Sequence, residues 1–214
     1  MPVSCKEPRH RTGALARLRV TVLDLREMVE ELGIDAAGCR DRALLLLGFA
    51  GALRRSELVG IDVEDVVEVP DGLTVHLRRS KTDQEGAGRL VGIPYGSNPS
   101  TCPVRAWRAW LELSGITEGP AFRSVDRHGR VGSTRLTAQA VALVVKRHAL
   151  RAGLDPGEVA GHSLRAGLAT AAAEAGVPER VIAATTGHKG TAMLRRYIRE
   201  GSLFRENAAS AVGL

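Results

Sequence analysis

Residues 1–20 read as a linker or arm, and at Thr21 a helix signature begins. Thr21 and Asp24 have the spacing of a capping-box variant, and Leu25, Met28, Val29 and Leu32 follow at helical intervals until Gly33 stops them. A second helix is expected from about Asp41 through Leu44, Leu45, Leu47 and Phe49 to a break at Gly51, with a third segment over Leu53 to Leu58. Residues 61–71 carry Asp62, Glu64, Asp65, Glu68 and Asp71 with no basic residue, so this stretch is expected to face away from any polyanion. The period then changes to two. Leu73, Val75 and Leu77 alternate with Thr74, His76 and Arg78 as in a strand, and Leu90 to Ile93, closed by Pro94, reads as its partner. Lys81 to Gly88 forms the polar, glycine-bearing hairpin loop between them.

Helical spacing returns at Pro103, with Val104, Trp107, Trp110 and Leu111, and Gly115 as the C-cap. Residues 123–133 are expected to form a basic loop. Leu136 to Leu150 is an apolar helix, His162 to Ala175 an alanine-rich one ended by Gly176, and Pro178 starts another that Gly187 ends. Thr191 is expected to cap a helix running through Tyr197 to Glu200, and an amphipathic piece with Leu203, Phe204, Val212 and Leu214 closes the chain. There is no internal repeat. The fold class expected is α+β, mainly helical, with one small antiparallel β-sheet.

A chain of 214 residues with 44% hydrophobic and 25% charged residues fits one globular domain, or one with a short arm, rather than a disordered segment. No stretch approaches the roughly 20 apolar residues of a membrane span, and no apolar run follows the N-terminal charges, so no secretory signal is expected. Cys5, Cys39 and Cys102 are an odd, scattered set, which excludes a disulfide framework and points to the cytoplasm. The six histidines lack metal-ligand spacing, so no zinc site is expected. The net charge of +6 is uneven: Lys6, Arg9, Arg11, Arg17 and Arg19 stand against Glu7 alone in the first 20 residues. A basic arm on a patchily charged globule describes it better than its overall charge does. Such an arm reads as a solvated tail or as a contact to a polyanion.

Several pieces carry chemistry. Tyr95 and Tyr197 are the two tyrosines. Tyr95 follows Pro94 at a strand end and reads as structural. Tyr197 lies among Arg195, Arg196 and Arg199, cations that favour a phenolate, although locally it reads as an amphipathic residue packing a short helix. Arg54 and Glu57 stand three apart on one helical face, as a salt bridge or as part of a site. His162 and Arg165 have the same spacing on a helix's first turn, where backbone N–H groups also favour an anion. Lys81 sits at the mouth of the hairpin, and His188 follows the Gly187 break nine residues before Tyr197. Gly187-His188-Lys189-Gly190-Thr191 lacks the Walker pattern and is discounted as a phosphate loop.

Taken in order, Gly51 to Leu58, Lys81, Gly161 to Arg165, Gly187-His188 and Tyr197 closely resemble the catalytic domain of the tyrosine site-specific recombinases, the phage integrase family. The resemblance covers about residues 12–214. It implies that Tyr197 attacks a DNA phosphodiester to give a 3′-phosphotyrosyl link and a free 5′-hydroxyl. It also implies that Arg54 and Arg165 clamp the non-bridging oxygens, that Lys81 protonates the leaving oxygen, that His162 handles the tyrosine proton, that His188 hydrogen-bonds the phosphate, and that Glu57 orients the cluster. No cofactor or metal is implied. The implied partners are double-stranded DNA and further copies of the chain, four in a synapse, with no membrane. Thr185 and Thr186 stand where the family usually has aliphatic residues. Residues 1–20 are expected to be an arm or linker remnant, 21–201 the catalytic domain, and 202–214 a tail packed in cis or exchanged between subunits. The family's N-terminal core-binding domain is expected to be absent. Two other readings stand beside the recombinase: a non-catalytic module that binds DNA or a recombinase, and a relaxase resembling type IB topoisomerases. The target site, and the choice between integrase, resolvase and transposon roles, stay open.

Overall fold

The computed structural model of the protein describes residues 19–78, 88–187 and 195. In chain order they form α1 (Val22–Glu30), α2 (Ala36–Ala50), α3 (Arg55–Gly60), β1 (Val66–Val69), β2 (Gly72–Leu77), β3 (Arg89–Pro94), α4 (Pro103–Ser114), β4 (Arg123–Val125), β5 (Val131–Arg135), α5 (Ala138–Arg151), α6 (Ser163–Glu174) and α7 (Glu179–Thr186). The expected capping box is present: the Thr21 hydroxyl accepts from the Asp24 N–H, and the Asp24 carboxylate accepts from the Thr21 N–H at 2.8 Å.

α2 is the hub. It starts at Ala36 rather than near Asp41, because Asp35 caps it by accepting from the Gly38 N–H at 2.7 Å. The leucine pattern that marks the helix begins only at Leu44, about two turns later, which hid this start. Leu44, Leu45, Leu46 and Leu47 are all buried, so the second half of the helix is apolar all round, as a helix must be when others cover every side. It contacts α1, α3, α4, α5 and α6. Val20, the last residue of the segment read as an arm, is fully buried in this core, and its N–H donates to the Ser163 carbonyl at 3.2 Å.

The main sheet has the order β1-β2-β3, all antiparallel. Its register pairs Leu73 with Ile93, Val75 with Val91 and Leu77 with Arg89, so one face carries these residues and packs toward α2 and α4. Thr74, His76 and Leu90 belong to the opposite face. β1 and the 3₁₀ turn before it, Val63–Asp65, lie in the acidic stretch that the charge pattern left without structure. Its carboxylates are largely used within the fold: Arg78 donates to Asp65 at 2.6 Å, Arg135 binds Asp62, Arg108 binds Glu68, and Glu64 accepts from the Gly119 N–H at 3.0 Å.

The basic stretch 123–133 is not a loop. Arg123–Val125 and Val131–Arg135 pair as a second, two-stranded sheet with a register shift between Arg123 and Val125. Its alternation is too short and too exposed to show in the apolar pattern. Behind it, Trp110 is buried and its indole N–H donates to the Ala121 carbonyl at 2.8 Å, while Trp107 meets Phe122 edge-on at 6.2 Å between ring centroids. Gly115 ends α4 at φ 65° as the sequence requires. The helix expected at Thr191 to Glu200, Arg195 apart, and the amphipathic tail lie outside the described residues.

Candidate active site

Arg54 occupies the N-cap position of α3, and Glu57 reaches back to it twice. The Arg54 N–H donates to Glu57 Oε2 at 2.8 Å and its Nη1 donates to Oε1 at 2.5 Å. This double contact distinguishes the two adjacent arginines. Arg55 turns instead toward Gly161, where a Cβ would run into the Arg55 side chain. The Glu57 side chain is 1% exposed and that of Arg54 14%. Burial pushes the Glu57 carboxyl up, but hydrogen bonds from the Arg54 backbone and side chain, with the charges of Arg54 and Arg89, outweigh it and hold Glu57 below its ordinary value.

The second arginine arrives from the far end of the chain. α6 begins at Ser163, whose hydroxyl accepts from the Ala160 N–H at 2.9 Å, with His162 exposed just ahead of it. Arg165 is buried and its Nη1 donates to the Ala52 carbonyl at 2.8 Å. Ala52 stands in the turn between α2 and α3, two residues before Arg54. At φ 48° it is the one non-glycine residue with positive φ among the described residues. Left-handed backbone at an alanine costs about 1 kcal/mol or more, so this turn is held by its surroundings.

Arg89 was missed by sequence reasoning. Its Nη2 lies 3.4 Å from Glu57 Oε2 and its Nη1 donates to the Thr185 carbonyl at 3.0 Å, near the end of α7. Its side chain is 20% exposed, and its Nε is buried without a hydrogen-bond partner among the described residues. Period two held the signal: Ile93 and Val91 face inward, so residue 89 does too, and a charge at an inward position needs a partner.

The structure thus pairs Arg54 with Glu57 and ties Arg165 to the Ala52 carbonyl two residues before Arg54, with His162 at the head of the same helix as Arg165. Lys81, His188 and Tyr197 lie outside the described residues. The described strands flank Lys81 on both sides: Arg78 binds Asp65 just before the loop, and Arg89 follows it. α7 ends at Gly187, φ 61°, immediately before His188. Arg195, two residues before Tyr197, is helical and its Nε lies 3.5 Å from Glu179 Oε1 at the start of α7. The two threonines in place of aliphatic residues are satisfied: Thr185 Oγ1 donates to the Val181 carbonyl at 3.0 Å, and the buried Thr186 Oγ1 to the Ile182 carbonyl at 2.7 Å. Among the described residues no cluster of three or more His, Cys, Asp or Glu residues has the geometry to hold a metal ion, and no helix is long and apolar enough to cross a membrane.

The described residues thus form a largely helical domain in which the buried Arg165 and the partly buried Arg54, paired with Glu57, come from motifs far apart in the chain. The sequence profile of the phage integrase family matches residues 19–202, and the chain belongs to that family. It is 45% identical over 172 residues to the integrase/recombinase XerD homolog of Selenomonas ruminantium, covering 80% of this chain and 50% of that protein. It is 32% identical over 161 residues to the tyrosine recombinase XerD of Corynebacterium glutamicum, covering 74% of this chain and 47% of that one. The chain therefore spans about half the length of these curated relatives. Among solved structures, the XerH site-specific recombinase in a post-cleavage complex with its palindromic difH substrate superposes with a TM-score of 0.71 at 17% identity, over 94% of this chain and 54% of that one. A lambda integrase dimer bound to a COC′ core site gives 0.61 at 20% identity, over 89% and 50%. These likenesses establish the fold as that of a tyrosine recombinase catalytic domain.

Proposed function

We propose that this chain is the catalytic part of a site-specific DNA recombinase that cuts and rejoins strands through a 3′-phosphotyrosyl intermediate. The observation that carries this reading is the Arg165–Ala52 hydrogen bond. It ties the histidine-x-x-arginine helix to the turn that leads into Arg54, which supports a reading in which both guanidiniums serve one phosphate. Planar guanidiniums bind two phosphate oxygens bidentately and stabilise the charge that builds up in a pentacoordinate transition state.

In this reading the Tyr197 oxygen attacks the phosphorus. The bond to the 5′-oxygen breaks as a bond to the phenolic oxygen forms, leaving the phosphate esterified to tyrosine. The phenolic proton passes to His162, and Lys81 supplies a proton to the departing 5′-oxygen. Arg54 and Arg165 hold the non-bridging oxygens, His188 hydrogen-bonds one of them, and Glu57 fixes Arg54. Attack by the 5′-hydroxyl of a second strand reverses the sequence. One phosphodiester is exchanged for another, so no nucleotide is consumed. The substrate is double-stranded DNA in the cytoplasm, and several copies of the chain act together on it.

The test is trapping on a pool of nicked duplexes with randomised cores. A covalent protein–DNA adduct that is lost in Tyr197→Phe is the expected result. Protection of DNA without any adduct identifies a non-catalytic binding module instead, and relaxation of plasmid at no defined site identifies a relaxase.

A further inference from the structure

Arg89 stands where three parts of the site meet, and nothing in its own strand explains why. Its neighbours on the inward face, Val91 and Ile93, are nearly fully buried. An arginine in their row forfeits apolar contact and desolvates a charge, a cost that needs compensation elsewhere. The compensation crosses the molecule. One end of the guanidinium faces Glu57, whose other oxygen accepts from Arg54. The other end donates to the Thr185 carbonyl in the last turn of α7. Lys or Arg at a helix C-terminus is the favourable sign for those unpaired carbonyls.

Gly187 completes the arrangement. A Cβ built there would stand 3.0 Å from Arg89 Nε, 3.1 Å from Cζ and 3.2 Å from Nη1. The guanidinium therefore lies against the bare α-carbon of the residue that turns the chain toward His188. Gly187 suits the turn by its φ of 61°, and its lack of a Cβ lets Arg89 pack closely against it.

We propose that Arg89 is a positioning residue that fixes three described pieces of the domain relative to one another: strand β3, which follows Lys81 in the chain, the Arg54–Glu57 pair, and the end of α7, which His188 and Tyr197 follow in the chain. It acts through Glu57 and the Thr185 carbonyl rather than on the phosphate. A lysine at this place retains the charge, but its single ammonium cannot reproduce the planar fork that reaches both partners. The catalytic consequence rests on the recombinase reading above; the tie itself does not.

The experiment compares the wild type with Arg89→Lys and Arg89→Ala in two assays. The first needs no DNA: amide hydrogen exchange, read by mass spectrometry over residues 88–94 and 179–187. Both variants are expected to lose protection in both segments at once, since one side chain joins them. The second uses the nicked duplexes that the wild type cleaves. The single-turnover rate of adduct formation is expected to fall by about tenfold in Arg89→Lys and about a hundredfold in Arg89→Ala, with duplex affinity held within about threefold. Unchanged rates, or affinity falling in step with rate, overturn the proposal. Should Arg89→Ala not fold, Arg89→Lys alone decides, by the same criteria. If the wild type forms no adduct, the recombinase reading fails by itself, and exchange then judges the tie: protection retained in 179–187 of Arg89→Lys overturns it.

Discussion

Arg165 on α6 donates a 2.8 Å hydrogen bond to the carbonyl oxygen of Ala52, which lies 113 residues earlier. The acceptor sits in a left-handed turn, so the arginine both presents its guanidinium and secures a strained backbone two residues from Arg54. Arg165→Ala is expected to lower stability by about 1–3 kcal/mol through loss of this buried bond. It is also expected to cut adduct formation by about a hundredfold or more through loss of a transition-state donor. Urea unfolding and single-turnover cleavage separate the two effects.

Glu57 sets an acid limit. Its carboxyl is held below the ordinary value near 4.5 when folded, so the unfolded chain binds the proton more readily. Its contribution to stability is complete above that ordinary value and is lost as pH falls through the depressed folded one. Glu57→Gln is expected to cost about 3 kcal/mol at neutral pH, because it leaves Arg54 partly buried without its counter-charge. It also flattens the loss of stability in acid. Thermal melts from neutral to acid pH, run on both proteins, check this.

A second buried carboxylate gives a control remote from the chemistry. Asp41 on α2 accepts from Arg40 Nε at 2.9 Å and Nη2 at 2.7 Å, and pairs with His148 Nε2 of α5 at 2.9 Å. Burial raises its carboxyl, but the His148 hydrogen bond and the Arg40 charge and hydrogen bond outweigh that and hold it low. The sign is that of Glu57: stability present above the ordinary value of 3.8, lost as pH falls through the folded one. Asp41→Asn is expected to destabilise by about 2–4 kcal/mol, measured by urea unfolding, while cleavage per folded molecule stays at the wild-type level.

The two tyrosines are expected to part company. The Tyr95 hydroxyl accepts from Arg108 Nη2 at 2.8 Å and lies 3.3 Å from Glu68, with Arg108 also over its ring, all of it exposed. Such surface networks contribute about 1 kcal/mol or less. Tyr95→Phe is expected to keep full adduct yield on a denaturing gel, whereas Tyr197→Phe yields none.

Much of this architecture could be read from residue order. Thr21 with Asp24, Pro103 with Gly115, and Pro178 with Gly187 mark helix ends by local chemistry, and the helices begin and end there or within a residue or two. What escaped either began ahead of the apolar pattern or depends on a partner elsewhere in the chain. Asp35 starts α2 ahead of any leucine. β4 and β5 hold their register by pairing with each other rather than by burying a face. The Arg54–Glu57 pair was legible because its members stand three apart, one helical turn. Arg89 was not, because Glu57 lies 32 residues away and Thr185 lies 96 away. Its only local trace is a cation in a row of inward aliphatic residues.

Both limbs of the main hairpin are gripped at the base, by Arg78 on Asp65 and by Arg89 on Glu57 and the Thr185 carbonyl. The segment numbered 79–87 thus departs from and returns to fixed posts. The two described ends on either side of that segment are therefore anchored to different parts of the domain, one to the acidic turn before β1 and the other to the end of α7.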